Sequence, residues 1–296
     1  MQLIRVAKKV RLVKKKFARF FKTANSQSLS PGFTLIELLV AMSLTGIVTT
    51  ISGFGLVAIM TSNSKADTRI QRRAELNRAI DFIADEVRMA SIVSDTTPEP
   101  TWGSGWTLTG SSPSPQLYMQ IPLKVVSMTA STDTITVINH GFSAGNAVMF
   151  TGTGTVAGNL SRDVVYYITK SATTPPPADT FKVSTSLTNA ESQTSIDLSS
   201  DSFGSSTANR LLIYYISDSG STWLPPKRIS RSAGPCSTPY TNNCETLVDS
   251  IAATGFTADV TSLRQAELKL LGKPFSNSLE TYTVSTKVFA RSSVIP

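Results

Sequence analysis

Residues 33–60 read FTLIELLVAMSLTGIVTTISGFGLVAIM, 28 residues with one charged side chain, Glu37. As a helix rising about 1.5 Å per residue, the run is long enough to cross a hydrocarbon core of roughly 30 Å. A backbone in lipid must satisfy its own hydrogen bonds, so the spanning form is a helix. No Lys or Arg falls inside it. Ahead of it, residues 1–32 hold nine basic side chains (Arg5, Lys8, Lys9, Arg11, Lys14, Lys15, Lys16, Arg19 and Lys22) and no acid. Basic residues stay on the cytoplasmic side, which puts 1–32 in the cytoplasm and the chain beyond residue 60 across the membrane, in the periplasm of a bacterium. The formal charge of +8 belongs to that leader. Taking 9 from 28 leaves 19 basic against 20 acidic side chains in the rest, a balance of −1 that argues against nucleic acid as a bulk electrostatic partner.

Glu37 is the anomaly. An ionisable group in a membrane helix costs about 2.5–3.5 kcal/mol on insertion scales. It could snorkel to the interface, and an acid near a helix N-terminus is favoured. An ordinary secretory signal is a weaker reading: its apolar stretch is about 7–15 residues, and Ser64-Lys65-Ala66 is a poor cut site. That reading also leaves Glu37 unexplained. The hexapeptide Gly32-Phe33-Thr34-Leu35-Ile36-Glu37, followed by LLVAM, resembles the class III signal of type IV prepilins and pseudopilins. The resemblance implies that prepilin peptidase cuts after Gly32, removing the leader 1–32, and N-methylates the new terminus, Phe33. It further implies that Glu37 neutralises the terminal amine of a neighbouring subunit during assembly on an inner-membrane platform. Opposite charges that are each costly in hydrocarbon are less so as a pair.

The helical pattern runs on past the membrane. Leu76, Ile80, Ile83, Val87 and Ala90 lie on one face at spacings of four, three, four and three. Glu75 with Arg78, and Asp85 with Arg88, are i,i+3 pairs for the outer face. One helix is expected from Phe33 to about Ile92, its first part (33–60) membrane or filament core and its continuation (61–93) amphipathic. Gly46, Gly53 and Gly55 stand where major pilins often carry a helix-breaking proline. Small residues let helices approach closely in lipid.

A Pro/Gly/Ser-rich stretch, 96–115, ends the helical region. Strands are expected at 116–121, 211–216, 223–230, 255–260, 266–271 and 281–290. The fold class is therefore α+β and pilin-like: one long helix on an antiparallel sheet built from 94–123 and 210–296. The segments RAIDFIADEVRMAS, LLIYYISDSG, WLPPKRISR, LVDSI and TYTVSTKVFARSS are similar to W-type minor pilins and J-type pseudopilins. Residues 124–209, low in charge and rich in Thr, Ser and Gly, resemble a small β module of phage-tail and surface proteins. They read as an insertion between two strands of the body, with β signals at 134–138, 147–150, 164–169, 181–185 and 196–198. With it removed, strands 116–121 and 210–216 could pair.

Other chemistry is sparse. Cys236 and Cys244 suit a structural disulfide in an oxidising compartment, or two free thiols. With one histidine, His140, neither a zinc site nor a Ser-His-Asp arrangement is expected, and His140 reads as a turn residue in Asn139-His140-Gly141. No phosphate-cradling loop, nucleophile elbow, metal or cofactor is expected, so the chain reads as a non-enzyme. Trp102, Trp106 and Trp223 read as packing residues ahead of binding ones, and Lys227, Arg228 and Arg231 as a possible local basic patch.

Overall fold

The apolar stripe and the strand alternation are both realised in the computed structural model. It describes residues 34–290 apart from 99–101, 104–105, 111, 154–155, 157–158, 172–177, 263 and 275–277. The chain divides into two units, Met1–Asn63 and Ser64–Pro296. One helix, α1 (Leu35–Met89), contributes to both. It is long and apolar enough near its start to cross a membrane, by length and composition.

In the second unit, α1 buries Leu76, Ala79, Ile80, Ile83, Ala84 and Val87. The helix stops three residues short of the expected end. Ile92 and Val93 are β-branched, and the chain turns at Ala90 to form strand β1 (Ile92–Ser94) against β2 (Ser114–Lys124). Ser91 N–H donates to Gln120 O at 2.8 Å to open that pairing. The outer-face pairs also differ. Asp85 does bind Arg88, but Glu75 takes Arg72 (2.6 Å) in place of Arg78, because Arg72 also reaches Asp249 at 3.1 Å.

The remaining strands are β3 (Ser127–Thr129), β4 (Thr134–Thr136), β5 (Ala147–Thr153), β6 (Val165–Ile168), β7 (Thr180–Phe181), β8 (Val183–Ser184), β9 (Ser205–Asp218), β10 (Lys227–Ser232), β11 (Cys244–Ser262), β12 (Gln265–Gly272) and β13 (Tyr282–Phe289). A short helix, α2 (Leu187–Glu191), capped by the Ser186 side chain, lies between β8 and β9. Residues 196–198 form no strand, although Ile196 N–H still donates to Val183 O. Ten strands make one sheet in the order β13-β12-β11-β10-β9-β5-β6-β8, with β2 on the other edge of β9 and β1 beside β2; β3, β4 and β7 make a second sheet.

Strand β9 organises the sheet. Along one edge it pairs with β2 over most of its length, from Thr207 against Lys124 to Ile216 against Ser114. Along the other edge its first half pairs with β5 and its second half with β10. Strands β5 and β10 thus lie end to end, joined where Ala147 N–H donates to Ala233 O at 2.8 Å. The stretch 124–209 leaves at the end of β2 and returns at the start of β9, and it contributes β5, β6 and β8 to the same sheet.

Three apolar clusters follow from this layout. The first lies between α1 and β2, β9 and β11–β13 and includes Ile83, Leu117, Met119, Tyr214, Phe256 and Leu268. The second belongs to 123–208 and includes Ile135, Phe150, Tyr166 and Leu198. The third lies on the opposite face of β2 and β9, where Tyr118, Leu211, Ile213 and Tyr215 are covered by Trp102, Trp106 and Leu108. This explains the unbroken run LLIYYI in β9: Leu212, Tyr214 and Ile216 serve the helix face, Leu211, Ile213 and Tyr215 the other. Strand β12 has one covered face and so alternates, with Ala266, Leu268 and Leu270 buried and Glu267 and Lys269 exposed. The helix lies close upon it: a Cβ on Gly272 would stand 2.4 Å from the Leu76 side chain.

Candidate functional site: the signal helix and the clasps behind it

Gly32 and Phe33 lie outside the described residues. The adjoining Thr34 and Glu37 form a reciprocal N-terminal box. Thr34 N–H and Oγ1–H both donate to Glu37 Oε2 at 3.0 Å, and Glu37 N–H donates to Thr34 Oγ1 at 3.4 Å. The box satisfies backbone donors that an α-helix leaves unpaired at its start. Thr-x-x-Glu is visible in the sequence as this box, a signal that the reading of Glu37 as an assembly charge alone overlooked. Both donors from Thr34 fall on one carboxylate oxygen, so the charge is held in place without being neutralised.

Beyond Glu37 the apolar side chains of this unit face outward. Leu35 is 80% exposed and the least exposed large apolar residues up to Met60, Leu38 and Val40, are 52%. Four hydroxyls among them are self-contained: Ser43, Thr45, Thr49 and Thr50 donate to the carbonyls of Leu39, Ala41, Thr45 and Gly46, each at 2.8 Å. Hydroxyls that bond back one turn hide their donors from hydrocarbon. Gly46, Gly53 and Gly55 have open space around them, so none is forced by crowding within the chain.

In the second unit a second acid of α1 is treated in the opposite way. Glu86 is buried between α1 and the sheet. Arg231 Nη2 donates to Oε1 at 2.8 Å, Arg231 Nε reaches Oε2 at 3.0 Å, and Tyr214 Oη–H donates to Oε2 at 2.6 Å. Burial pushes the Tyr214 phenol well above its ordinary pKa, and the neighbouring Glu86 charge adds to the rise. Burial opposes the Arg231 charge too, but the hydrogen bonds and charge of Glu86 outweigh it and raise its pKa. The sequence hinted at this clasp only through a carboxylate standing beside the apolar stripe at Ile83 and Val87.

Arg231 is therefore no part of an exposed basic patch. Arg228 is buried too, its Nε donating to Ser217 Oγ at 3.1 Å, and Lys227 is paired with Asp218. The expected cluster of Lys227, Arg228 and Arg231 is dispersed: Lys227 and Arg231 are paired with Asp218 and Glu86, and Arg228, on the opposite face of β10, bonds buried hydroxyls.

Cys236 and Cys244 are joined in a disulfide with Cα atoms 5.7 Å apart, closing the loop between β10 and β11. The loop docks on the start of β5. Asn243 Nδ2 donates to Gly145 O (2.8 Å) and Pro235 O (3.0 Å), and Asn146 Nδ2 donates to Asn243 Oδ1 (2.9 Å). Gly145 has φ +78°, and a Cβ there would stand 2.4 Å from the Tyr240 ring, so only glycine fits. Burial, with Glu191 nearby, lifts the Tyr240 phenol to about 12.

His140 is a turn residue, as expected, but a buried one. Its Nδ1 accepts from Phe142 N–H at 2.8 Å and its ring packs against Phe142 and Phe181. Burial lowers its pKa, and Arg210 nearby lowers it further. Just after it, Gly141-Phe142-Ser143-Ala144-Gly145 spells G-x-S-x-G, which the expectation of no elbow passed over. The structure places it in a loop before β5, not on a strand-turn-helix corner, and Ser143 N–H is engaged by Asn146 Oδ1. Among the described residues no group of His, Cys, Asp or Glu is placed to hold a metal. Trp102 is buried against Tyr118 and Trp106, a packing role, whereas Trp223 is partly exposed.

Residues 30–53 match the family model described as the prokaryotic N-terminal methylation motif. No curated protein and no solved structure matches the chain. The match at 30–53, around Glu37 and the bare apolar helix, supports a class III signal of the type IV pilin kind, the mark of a pilin-like or pseudopilin-like precursor.

Proposed function

We propose that the chain is a minor pilin or pseudopilin, assembled into a type IV pilus or a type II secretion pseudopilus, in initiation or at the tip. Prepilin peptidase cuts after Gly32 and methylates Phe33. The single-pass intermediate waits in the inner membrane with residues 64–296 in the periplasm, and the assembly platform passes it to other pilin or pseudopilin subunits. The observation that carries this reading is Glu37: a carboxylate fixed in the first turn of a helix whose apolar side chains have no cover. A charge held there suits the methylated amine of a neighbouring subunit, since the two are cheaper in hydrocarbon together than apart.

Mass spectrometry of the mature N-terminus tests the first step; a terminus other than methylated Phe33 refutes it. Gly32→Leu leaves the precursor uncut. Glu37→Val is cut normally but drops out of sheared filaments; filaments that carry the variant at the wild-type level count against the pairing role.

A second role, as a filament-displayed adhesive or DNA-uptake subunit, is favoured by one observation: the proposed insertion 124–209 has its own apolar cluster around Phe150 and Leu198. A DNA role gains no support from Lys227, Arg228 and Arg231, which are paired or buried. Deletion of 125–206 that leaves filaments intact but abolishes attachment would favour display.

A further inference from the structure

The β9–β10 and β12–β13 connections, at one end of the second unit, are tied to each other through a bulge of β11 at Asp249 and Ser250, and to the start of the unit's helix. Ser250 N–H donates to Leu224 O (3.1 Å), and Lys273 N–H donates to Ser250 O (2.8 Å). Leu224 N–H donates to Asp249 Oδ2 (3.0 Å), and Asp249 Oδ1 takes Arg72 at 3.1 Å. Arg69 binds Glu280 at 2.9 Å, and Arg73 lies 4.3 Å above the Tyr282 ring. The backbones are pinned, yet their apolar side chains are not covered: Trp223 is 40% exposed, Leu224 48% and Leu279 99%. Single exposed apolar residues are ordinary. Three on two mutually anchored hairpin connections, one of them a tryptophan, form a rim.

Chain connectivity limits how far that rim can lie from the apolar run. Only Thr61, Ser62 and Asn63 separate the last apolar residue, Met60, from Ser64. Even fully extended, that link spans no more than about 14 Å. Arg69 and Arg72, to which the loops are pinned, follow within about 12 Å of helical rise. The rim is therefore at the end of the unit that is tethered to the bilayer. The same stretch of helix carries Lys65, a cation suited to lipid phosphates, while Arg69 and Arg73 hold Glu280 and Tyr282.

We propose that Trp223, Leu224 and Leu279 rest in the interfacial layer of the membrane that holds residues 33–60, as a docking rim used before the subunit joins a filament. The proposal depends on reading 33–60 as a membrane span. Tryptophan is favoured at the headgroup level, where its ring is half in hydrocarbon and its N–H stays wet. Leu224 and Leu279 add apolar area, and Lys65 of α1 sits at phosphate depth.

The test is quenching of the full-length protein in phosphatidylethanolamine and phosphatidylglycerol vesicles with brominated acyl chains. There are three tryptophans, so loss of Trp223 emission removes up to roughly a third of the signal. Trp223→Phe abolishes that quenched fraction, and Leu224→Asp with Leu279→Asp reduces it more than twofold with near-ultraviolet circular dichroism unchanged. Equal fractional quenching of the wild type and Trp223→Phe overturns the proposal. A photo-crosslinker at 223 that captures a second copy, with no quenching, overturns it in favour of a subunit interface. Carbonate extraction separates the two readings: a protein washed off the vesicles refutes the span itself, whereas a retained but unquenched one refutes only the rim.

Discussion

The two ends of α1 carry similar side chains and are finished in opposite ways. Toward its start, leucines, isoleucines and valines stand exposed and Glu37 is held on one oxygen by its own first turn. Toward its end, the same residue types are sealed against a sheet and Glu86 is enclosed by Arg231 and Tyr214. The difference separates stability from assembly. Apolar area that folding has already buried makes the domain stable; apolar area left bare is a binding surface, and its energy is released only when lipid or another helix covers it.

Changes at the sealed end should be felt by folding, and changes at the bare end should not. The largest effect is expected at Glu86. Glu86→Leu leaves Arg231 buried without its partner and lowers ectodomain stability by about 3–5 kcal/mol, read from urea unfolding of the detergent-solubilised chain. Adding Arg231→Met should restore most of that loss; a double variant as weak as the single one would show that packing and not charge is at issue. Next is Ile83→Ala, expected to cost about 2–5 kcal/mol in the same measurement. Its counterpart Ile47→Ala should leave the urea midpoint in place and lower membrane or filament incorporation instead. A shifted midpoint for Ile47→Ala would break the contrast. Replacing Cys236 and Cys244 by Ser should cost roughly 2–3 kcal/mol through the reopened loop. It should also raise proteolysis near Gly145, where that loop docks.

The smallest effect is expected from pH. The folded pKa of His140 lies below its ordinary value, with burial the leading cause. The unfolded chain therefore takes up the proton first, and stability declines as pH falls below about 6.5. His140→Asn, which keeps an acceptor for Phe142 N–H, should flatten the profile between pH 7.5 and 5. A wild-type midpoint that does not fall over that range would sink the assignment.

Features written in neighbouring residues were legible in advance. The face of Leu76, Ile80, Ile83 and Val87 follows from helical period, and the side of β13 bearing Tyr282, Val284, Thr286 and Val288 from alternation. The motif around Glu37 is local, and the pairing of β2 with β9 follows from two strands of matching character on either side of a long excursion. What was missed is non-local. The partner of Glu86 lies 145 residues away, and Arg72 bridges its neighbour Glu75 to Asp249, which the sequence places far beyond any i,i+4 rule. The supposed basic patch failed for the same reason: strand pairing, not sequence proximity, decided where each cation goes. Ile92 and Val93 could prolong the helix or start a strand, and only the neighbouring β2 decides between them.

The way β9 is shared has a mechanical consequence. Lys124 and Thr207, beside the points where the chain leaves and re-enters the body, are cross-strand neighbours. A pull on whatever lies between them tugs β2 and β9 in the same direction and does not slide one past the other. The load passes instead to the β9–β10 ladder, whose rungs from Ile213 to Asp218 are strained together and lengthwise. Tension on the stretch between Lys124 and Thr207 therefore loads those hydrogen bonds in parallel, so that they yield together and not one by one.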